Sequence, residues 1–206
     1  MEQLSKQKLL VTILNQGYIR PELSDVQSQL LSDERVETTV VHVNMRPSEN
    51  ARNASVKKML DEGYDYLLTI DHDTIPLKNP IDLIELGLDV VGFAVPQWNI
   101  SDPAYPIYFV GMDRVENGYN EHKEKEGLQE VDAVGSGCLL MSRKVLEQVK
   151  EPFLRNWKDG FAITGLDFYF CEKAREQGFR TYCHYDYVAD HIKEVSLLDI
   201  LKFKNA

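Results

Sequence analysis

Cysteine is scarce. Cys138, Cys171 and Cys183 are the only three in 206 residues, no two stand at C-x-x-C spacing, and each lies in an apolar segment. That excludes a disulfide framework and predicts buried free thiols in a reducing compartment. Long hydrophobic runs are missing too: nowhere do about eighteen apolar residues follow one another, and the opening MEQLSKQKLLVTIL has too short an apolar stretch for a secretory signal. Positive charge is in deficit, with 23 Lys and Arg against 33 Asp and Glu, a formal net charge of −10. This excludes a non-specific grip on nucleic acid phosphates, and it means that an anionic substrate needs the help of a cation. Together these absences predict a cytoplasmic protein with no nucleic acid partner and no transmembrane segment; peripheral contact with a membrane stays open.

What is present is 43% hydrophobic and 27% charged residues, enough for one globular domain with a sizeable core, since domains of about 100–200 residues are usual. Short apolar or β-branched runs at 8–14, 36–43, 66–70 and 89–93 predict strands. Between the first two, PELSDVQSQLL puts Pro21 in a first helical turn and repeats Leu23, Val26 and Leu30 at helical spacing. Between the next two, SENARNASVKKMLDEG has Ser48 as a candidate N-cap and Gly63 just past its end. The first half therefore reads βαβαβ, the mark of an α/β fold with a largely parallel sheet. After Trp98 the pattern turns mixed. PIYFVGM and EVDAVGSGCLLMS look like strands separated by the turn-rich NGYNEHKEKEG, and residues 150–164 read as a long loop of the kind that serves as a lid. A helix over 166–177, a strand RTYCHY and an apolar tail VSLLDILKFKNA, expected to be helical, complete the chain.

The chemistry gathers at YLLTIDHDTIP, residues 66–76. Ligands of open α/β sheets bind beyond the carboxyl ends of the parallel strands, where Asp71 and Asp73 fall. On an extended backbone these two carboxylates point one way and His72 the other, so both can converge on one cation. Hard oxygen ligands suit Mg²⁺ or Mn²⁺ completed by phosphate oxygens and water. The plain alternative is that both aspartates cap the turn before Pro76.

TILNQGY, ENARNASVKKMLDEGYDYLLTIDHDTIP, VGSGCLLMSRKVL, TGLDFYFCEKAREQGFR and a late DHIK occur in the order found in GT-A glycosyltransferases. Over residues 9–193 the chain most resembles the family 2 type and its viral and phage relatives, including the nucleotide-sugar transferase domain of large chlorella viruses. The resemblance implies a GT-A fold: a mostly parallel central sheet in a three-layer sandwich with a mixed C-terminal half. It implies transfer of a sugar from a nucleotide-diphosphate sugar, most commonly a UDP-sugar, to a glycan or other hydroxyl acceptor with inversion, and residence in the host cytoplasm if the source is viral. Whether the chain is part of a larger polypeptide stays open.

The resemblance also assigns residues. Asp71 and Asp73 are similar to the DXD motif that contacts ribose and a divalent ion, Mn²⁺ or Mg²⁺; His191 to the late histidine of the metal shell; and Asp167 to the base that deprotonates the acceptor. Leu14, Asn15, Gln16, Tyr18, Arg52, Asn53 and His72 match the places where the family grips the nucleotide. Gly135, Ser136 and Gly137 let sugar or acceptor approach the backbone, and Trp98 and Trp157 can stack on a sugar ring. One departure stands out: Leu166 occupies the position where family 2 sequences carry a second acidic residue beside the base. Each residue has a bland counterpart. Asp167 can simply favour a helix N-terminus, His191 can be a surface histidine, Arg52 an exposed helical cation, the tryptophans core, and the glycines a bulge. Two other classes remain: a non-catalytic nucleotide-sugar or glycan binding module, and a sugar nucleotidyltransferase. The second is disfavoured because LNQGYIRPE has one glycine and one arginine where a glycine-rich basic phosphate loop is needed.

Overall fold

The computed structural model describes residues 6–98 and 107–198. The expected tail helix lies for the most part outside them. The first half follows the βαβαβ pattern: β1 (Lys8–Leu14), α1 (Glu22–Ser32), β2 (Glu37–Val43), α2 (Ser48–Asp61) and β3 (Tyr66–Asp71). Every residue of β1 after Lys8 is buried, as expected of a central strand covered on both faces. In α1, Leu23, Val26 and Leu30 form the buried stripe. Ser48 starts α2 instead of capping it; the residue before it is Pro47 and no side chain caps that end. Gly63 takes φ +75° just past the last turn, a conformation that other residues adopt at a cost.

The remaining elements are β4 (Thr74–Pro76), a 3-10 helix (Pro80–Leu86), β5 (Val90–Ala94), β6 (Pro96–Trp98), β7 (Ile107–Phe109), β8 (Gly111–Val115), β9 (Gly118–Glu121), β10 (Leu128–Val131), β11 (Ala133–Val134), β12 (Cys138–Ser142), α3 (Arg143–Gln148), β13 (Trp157–Lys158), β14 (Phe161–Ala162), α4 (Leu166–Glu176) and β15 (Thr181–His191). The main sheet has the order β10-β15-β5-β12-β3-β1-β2, with β4 paired to β15. Strands β1, β2 and β3 are mutually parallel, and β5 and β15 share their direction; β12 runs the other way between β3 and β5, as do β10 and β4 at the β15 side.

Alternate residues of these strands feed two cores, so the sheet is the middle of three layers. Leu67, Val90, Leu139 and Met141 pack on one face with Val56 and Met59 of α2, Val145 of α3 and Phe170 of α4. On the other face Leu9, Val11, Leu68, Ile70 and Leu140 pack with Leu23, Val26 and Leu30 of α1. The three cysteines are buried and free. Among the described residues no helix is long and apolar enough to cross a membrane.

Three expectations need correction. The turn-rich stretch after Val115 contains β9, which pairs with β8. Residues 150–164 are no featureless loop: β13 and β14 form a hairpin closed by Asp159 (φ 51°) and Gly160 (φ 82°), and two successive positive φ values are what a two-residue hairpin turn demands. Finally, β15 runs on to His191. After a register shift between His184 and Val188, the strand meets β5 once more at Ala94, and its last three residues pair with β4, His191 opposite Thr74.

Candidate active site

The parallel strands aim their carboxyl ends at one edge of the sheet. The helices that follow β2 and the β13–β14 hairpin start there, and the reversed β12 enters from there. Sequence segments far apart thus line one cleft of about 740 Å³: Leu14 to Gln16 after β1, Met45 to Ser48 and Arg52 at the start of α2, Asp71 to Asp73 after β3, Ser136 before β12, Gly165 to Asp167 at the start of α4, and His191 and Lys193 at the end of β15. That volume suits a small-molecule site.

The two aspartates of the acidic triplet have different surroundings. Strand β3 ends at Asp71, and His72 and Asp73 form the turn into β4. The strand alternation expected from the sequence therefore stops at Asp71, two residues short of Asp73, and His72 lines the cleft with both aspartates while its ring meets Tyr18 edge-on at 5.2 Å. Asp71 is gripped by Arg52, whose Nη2 donates to Oδ1 at 2.8 Å and Oδ2 at 3.0 Å. The same guanidinium donates to Ser136 Oγ at 2.9 Å and Ser136 O at 3.3 Å. Arg52 is 4% exposed, so it is a buried tie rod and not the exposed helical cation of the bland reading.

Asp73 belongs to the other end. The Ile192 N–H donates to the Asp73 carbonyl at 2.8 Å, which draws the end of β15 against the turn. Asp73 Oδ2 lies 3.3 Å from His191 Nε2 and accepts from Lys193 Nζ at 2.7 Å. Burial works to raise the Asp73 carboxyl, but the hydrogen bonds from His191 and Lys193, with their charge, hold it well below the usual carboxylate range. His191 Nδ1 lies 2.7 Å from the Pro96 carbonyl; a carbonyl only accepts, so Nδ1 carries a proton, while Nε2 donates to Asp73 when it too is protonated and offers its lone pair to a cation when the ring is neutral.

This donor set fits a divalent cation. A carboxylate oxygen and an imidazole nitrogen converge, and the outer ring nitrogen is fixed by a backbone carbonyl, the usual way a ligating histidine is oriented. Among the described residues no three His, Cys, Asp or Glu side chains gather as a ready-made cage, so phosphate oxygens and water must complete such a shell.

Asp167 sits at the start of α4 but does not cap it. The N-cap residue is Gly165, which has no side chain to cap with; Asp167, inside the first turn, accepts from the Phe168 N–H at Oδ1 at 3.0 Å. Burial pushes the Asp167 carboxyl up from its ordinary value, offset in part by the charge of Arg52 and by backbone N–H groups of Phe168, Asp167 itself and Ser136. A Cβ at position 165 would lie 2.5 Å from Asp167 Oδ1, so glycine there leaves room for the carboxylate.

Not every expected residue reaches the cleft. Asn53 exchanges hydrogen bonds with the backbone of Phe153, its Nδ2 donating to O at 2.8 Å and its Oδ1 accepting from N at 3.1 Å; it anchors the 150s segment instead. Tyr18 is exposed, does not line the cleft, and meets the site at His72. Trp157 is 67% exposed on the β13–β14 hairpin, and Trp98 ends β6; neither lines the cleft. Of the VGSGC segment, only Ser136 does. Gly135 and Gly137 make room for neighbours: added Cβ atoms would come within 3.1 Å of Val110 and 3.0 Å of Thr74. Asn15 accepts from the Gly17 N–H at 3.0 Å, and Gln16 from Arg46 Nη2 at 2.8 Å. The residues missed from sequence include Met45, Arg46, Pro47, Gln97, Arg155 and Lys193. Only Lys193 carried a signal, standing two residues from His191 in the same DHIK segment.

No protein-family model and no curated protein matches this chain. Solved structures do. The protein A197 from STIV superposes with a TM-score of 0.63 at 20% identity over 91% of this chain and 87% of that one. GalNAc-T7, solved with UDP, GalNAc and Mn²⁺, superposes with a TM-score of 0.55 at 11% identity over 99% of this chain; the chain spans about half its length, 48%. The fold is GT-A. In that GT-A framework the sheet edge bearing Asp71, Asp73, His191 and Asp167 is the edge where an open α/β sheet takes its ligand.

Proposed function

We propose that this GT-A protein transfers a sugar from a nucleotide-diphosphate sugar, a UDP-sugar, to an acceptor hydroxyl with the help of Mn²⁺ or Mg²⁺. One observation carries the reading: a single cleft holds a cation-ready carboxylate–imidazole pair, Asp73 and His191, together with a carboxylate of raised pKa, Asp167. Pairs of titratable groups pushed apart by their surroundings mark acid and base roles. A structural neighbour solved with UDP, GalNAc and Mn²⁺ supports the choice of ligands.

Each residue then has a task. Leu14, Asn15, Gln16, Met45 and Pro47 offer the mixed apolar and polar wall that a nucleoside needs. Asp73 and His191 would hold the cation, which when bound would supply Lewis-acid stabilisation of the charge on a diphosphate leaving group. Arg52 fixes Asp71 and Ser136, so that Asp71 presents its free edge to the ribose. Asp167 takes the proton of the acceptor hydroxyl as that oxygen bonds to the anomeric carbon; the bond to the diphosphate oxygen breaks with its electron pair, and the configuration inverts. General-base help of this kind is worth about 10²–10⁴-fold.

The test is nucleotide release. Purified protein supplied with UDP-sugars should liberate UDP faster with Mn²⁺ than with EDTA, and an acceptor should increase the rate. Binding without release in any donor and acceptor panel would make the chain a binding module, and formation of nucleotide sugar from UTP and a sugar phosphate would make it a nucleotidyltransferase.

A further inference from the structure

The Asp73 oxygen that faces His191 is already in use. Lys193 Nζ donates to Asp73 Oδ2 at 2.7 Å, and His191 Nε2 stands 3.3 Å from the same atom. An ammonium and a divalent cation cannot share one carboxylate oxygen at contact distance, because the two positive charges repel. One must leave before the other arrives. Lys193 is free to do so: its side chain is 43% exposed, it lies beyond the end of β15, and it has a flexible four-carbon stem. Arg52 at the other aspartate is its opposite, 4% exposed and forked between Asp71 and Ser136.

We propose that Lys193 is the resident counter-ion of the metal pocket, which selects a metal–nucleoside diphosphate complex over the free metal ion. Without nucleotide, its ammonium neutralises Asp73, and a bare divalent ion must expel it into water for only two protein ligands. When the ion arrives with a diphosphate, the ammonium exchanges Asp73 for phosphate oxygens beside it, and the displacement is no longer a loss. Metal and nucleotide thereby bind with positive coupling, which linkage makes reciprocal. A chain with a net charge of −10 is in this way spared from filling the pocket with any passing cation. The inference rests on the reading above that Asp73 and His191 are the protein ligands of the cation.

The experiment titrates Mn²⁺ into the full chain by calorimetry and by the paramagnetic resonance of free Mn²⁺, with and without UDP. Wild type should bind Mn²⁺ weakly alone and about tenfold or more tightly with UDP. Lys193→Gln should tighten nucleotide-free Mn²⁺ binding by about tenfold and shrink the enhancement given by UDP. Lys193→Arg, which keeps the charge, should stay near wild type, and Lys193→Gln combined with Asp73→Asn should lose the gain. Melting curves confirm that each variant is folded. If Lys193→Gln leaves nucleotide-free Mn²⁺ binding unchanged or weaker while the UDP complex still binds Mn²⁺, the counter-ion role is overturned and the metal site stands. If neither wild type nor variant binds Mn²⁺ even with UDP, the ligand assignment of Asp73 and His191 falls, and this inference falls with it.

Discussion

Asp71 and Asp73 are separated by one residue, yet they live in opposite regimes. Asp71 is pinned on one side by a buried guanidinium that also holds Ser136. Asp73 shares one oxygen between an imidazole and a solvent-reachable ammonium. The first arrangement is fixed before any ligand arrives, the second exchangeable. A site that must hold a donor in one geometry and also admit and release a cation needs both, and here each aspartate supplies one. Two links connect the fixed end to the chemistry: Arg52 donates to Ser136, and the Ser136 N–H stabilises the Asp167 carboxylate.

The contrast can be broken at several points. The largest effect is expected at the reacting centre, which the fixed end orients. Asp167→Asn should lower transfer by about 10²-fold or more with donor affinity nearly unchanged, the split shown by a group that acts only in the transition state. Because Asp167 works as a carboxylate and burial raises its pKa, wild-type transfer should fall as the pH drops through a value above the ordinary carboxylate range. A profile that declines only near pH 4 or below would remove the raised base.

The next largest effect separates stability from binding. Arg52→Gln strands Asp71 and Ser136 and should cost roughly 2–3 kcal/mol of stability, less than a fully buried pair because Asp71 remains partly open. Loss of Lys193 should cost little stability, since exposed pairs are worth about 0–1 kcal/mol. Chemical denaturation of the two variants side by side reads this directly; equal losses would erase the distinction between the fixed and exchangeable ends.

A smaller effect belongs to His191→Ala, which should weaken Mn²⁺ binding in the presence of UDP by about 10–100-fold, with a modest fall in melting temperature because the ring is largely buried and bonds the Pro96 carbonyl. An unchanged titration would return His191 to a role in strand pairing. Smallest of all, Gly165→Ala should slow transfer several-fold while leaving UDP affinity intact, because the added methyl crowds Asp167 Oδ1 and nothing on the nucleotide side.

How much of this the sequence revealed depends on which force fixes each part. The first three strands and two helices were legible because their periodicity is local: Leu23, Val26 and Leu30 mark a buried stripe whatever they pack on. The candidate base and the acidic triplet were legible from segment order. The extent of β15 was not, since RTYCHY looks like a complete strand and only the register shift before Val188 shows that the chain continues to β4. Nor was the split between Asp71 and Asp73, because Arg52 and Lys193 reach them from 19 and 120 residues away. Asn53 misled for the same reason: its neighbour Arg52 enters the cleft, while a helical step of one residue turned Asn53 toward Phe153. The hairpin at residues 157–162 was missed although KDG is a turn signal, because its strands are too short to show alternation.

The most direct test of a cation-assisted nucleotide site is the heat of UDP binding with Mn²⁺, repeated in EDTA and with Asp73→Ala. Saturable binding that requires Mn²⁺ and disappears in the variant is the predicted result. Tight binding of UDP in EDTA, unchanged by Asp73→Ala, would contradict it.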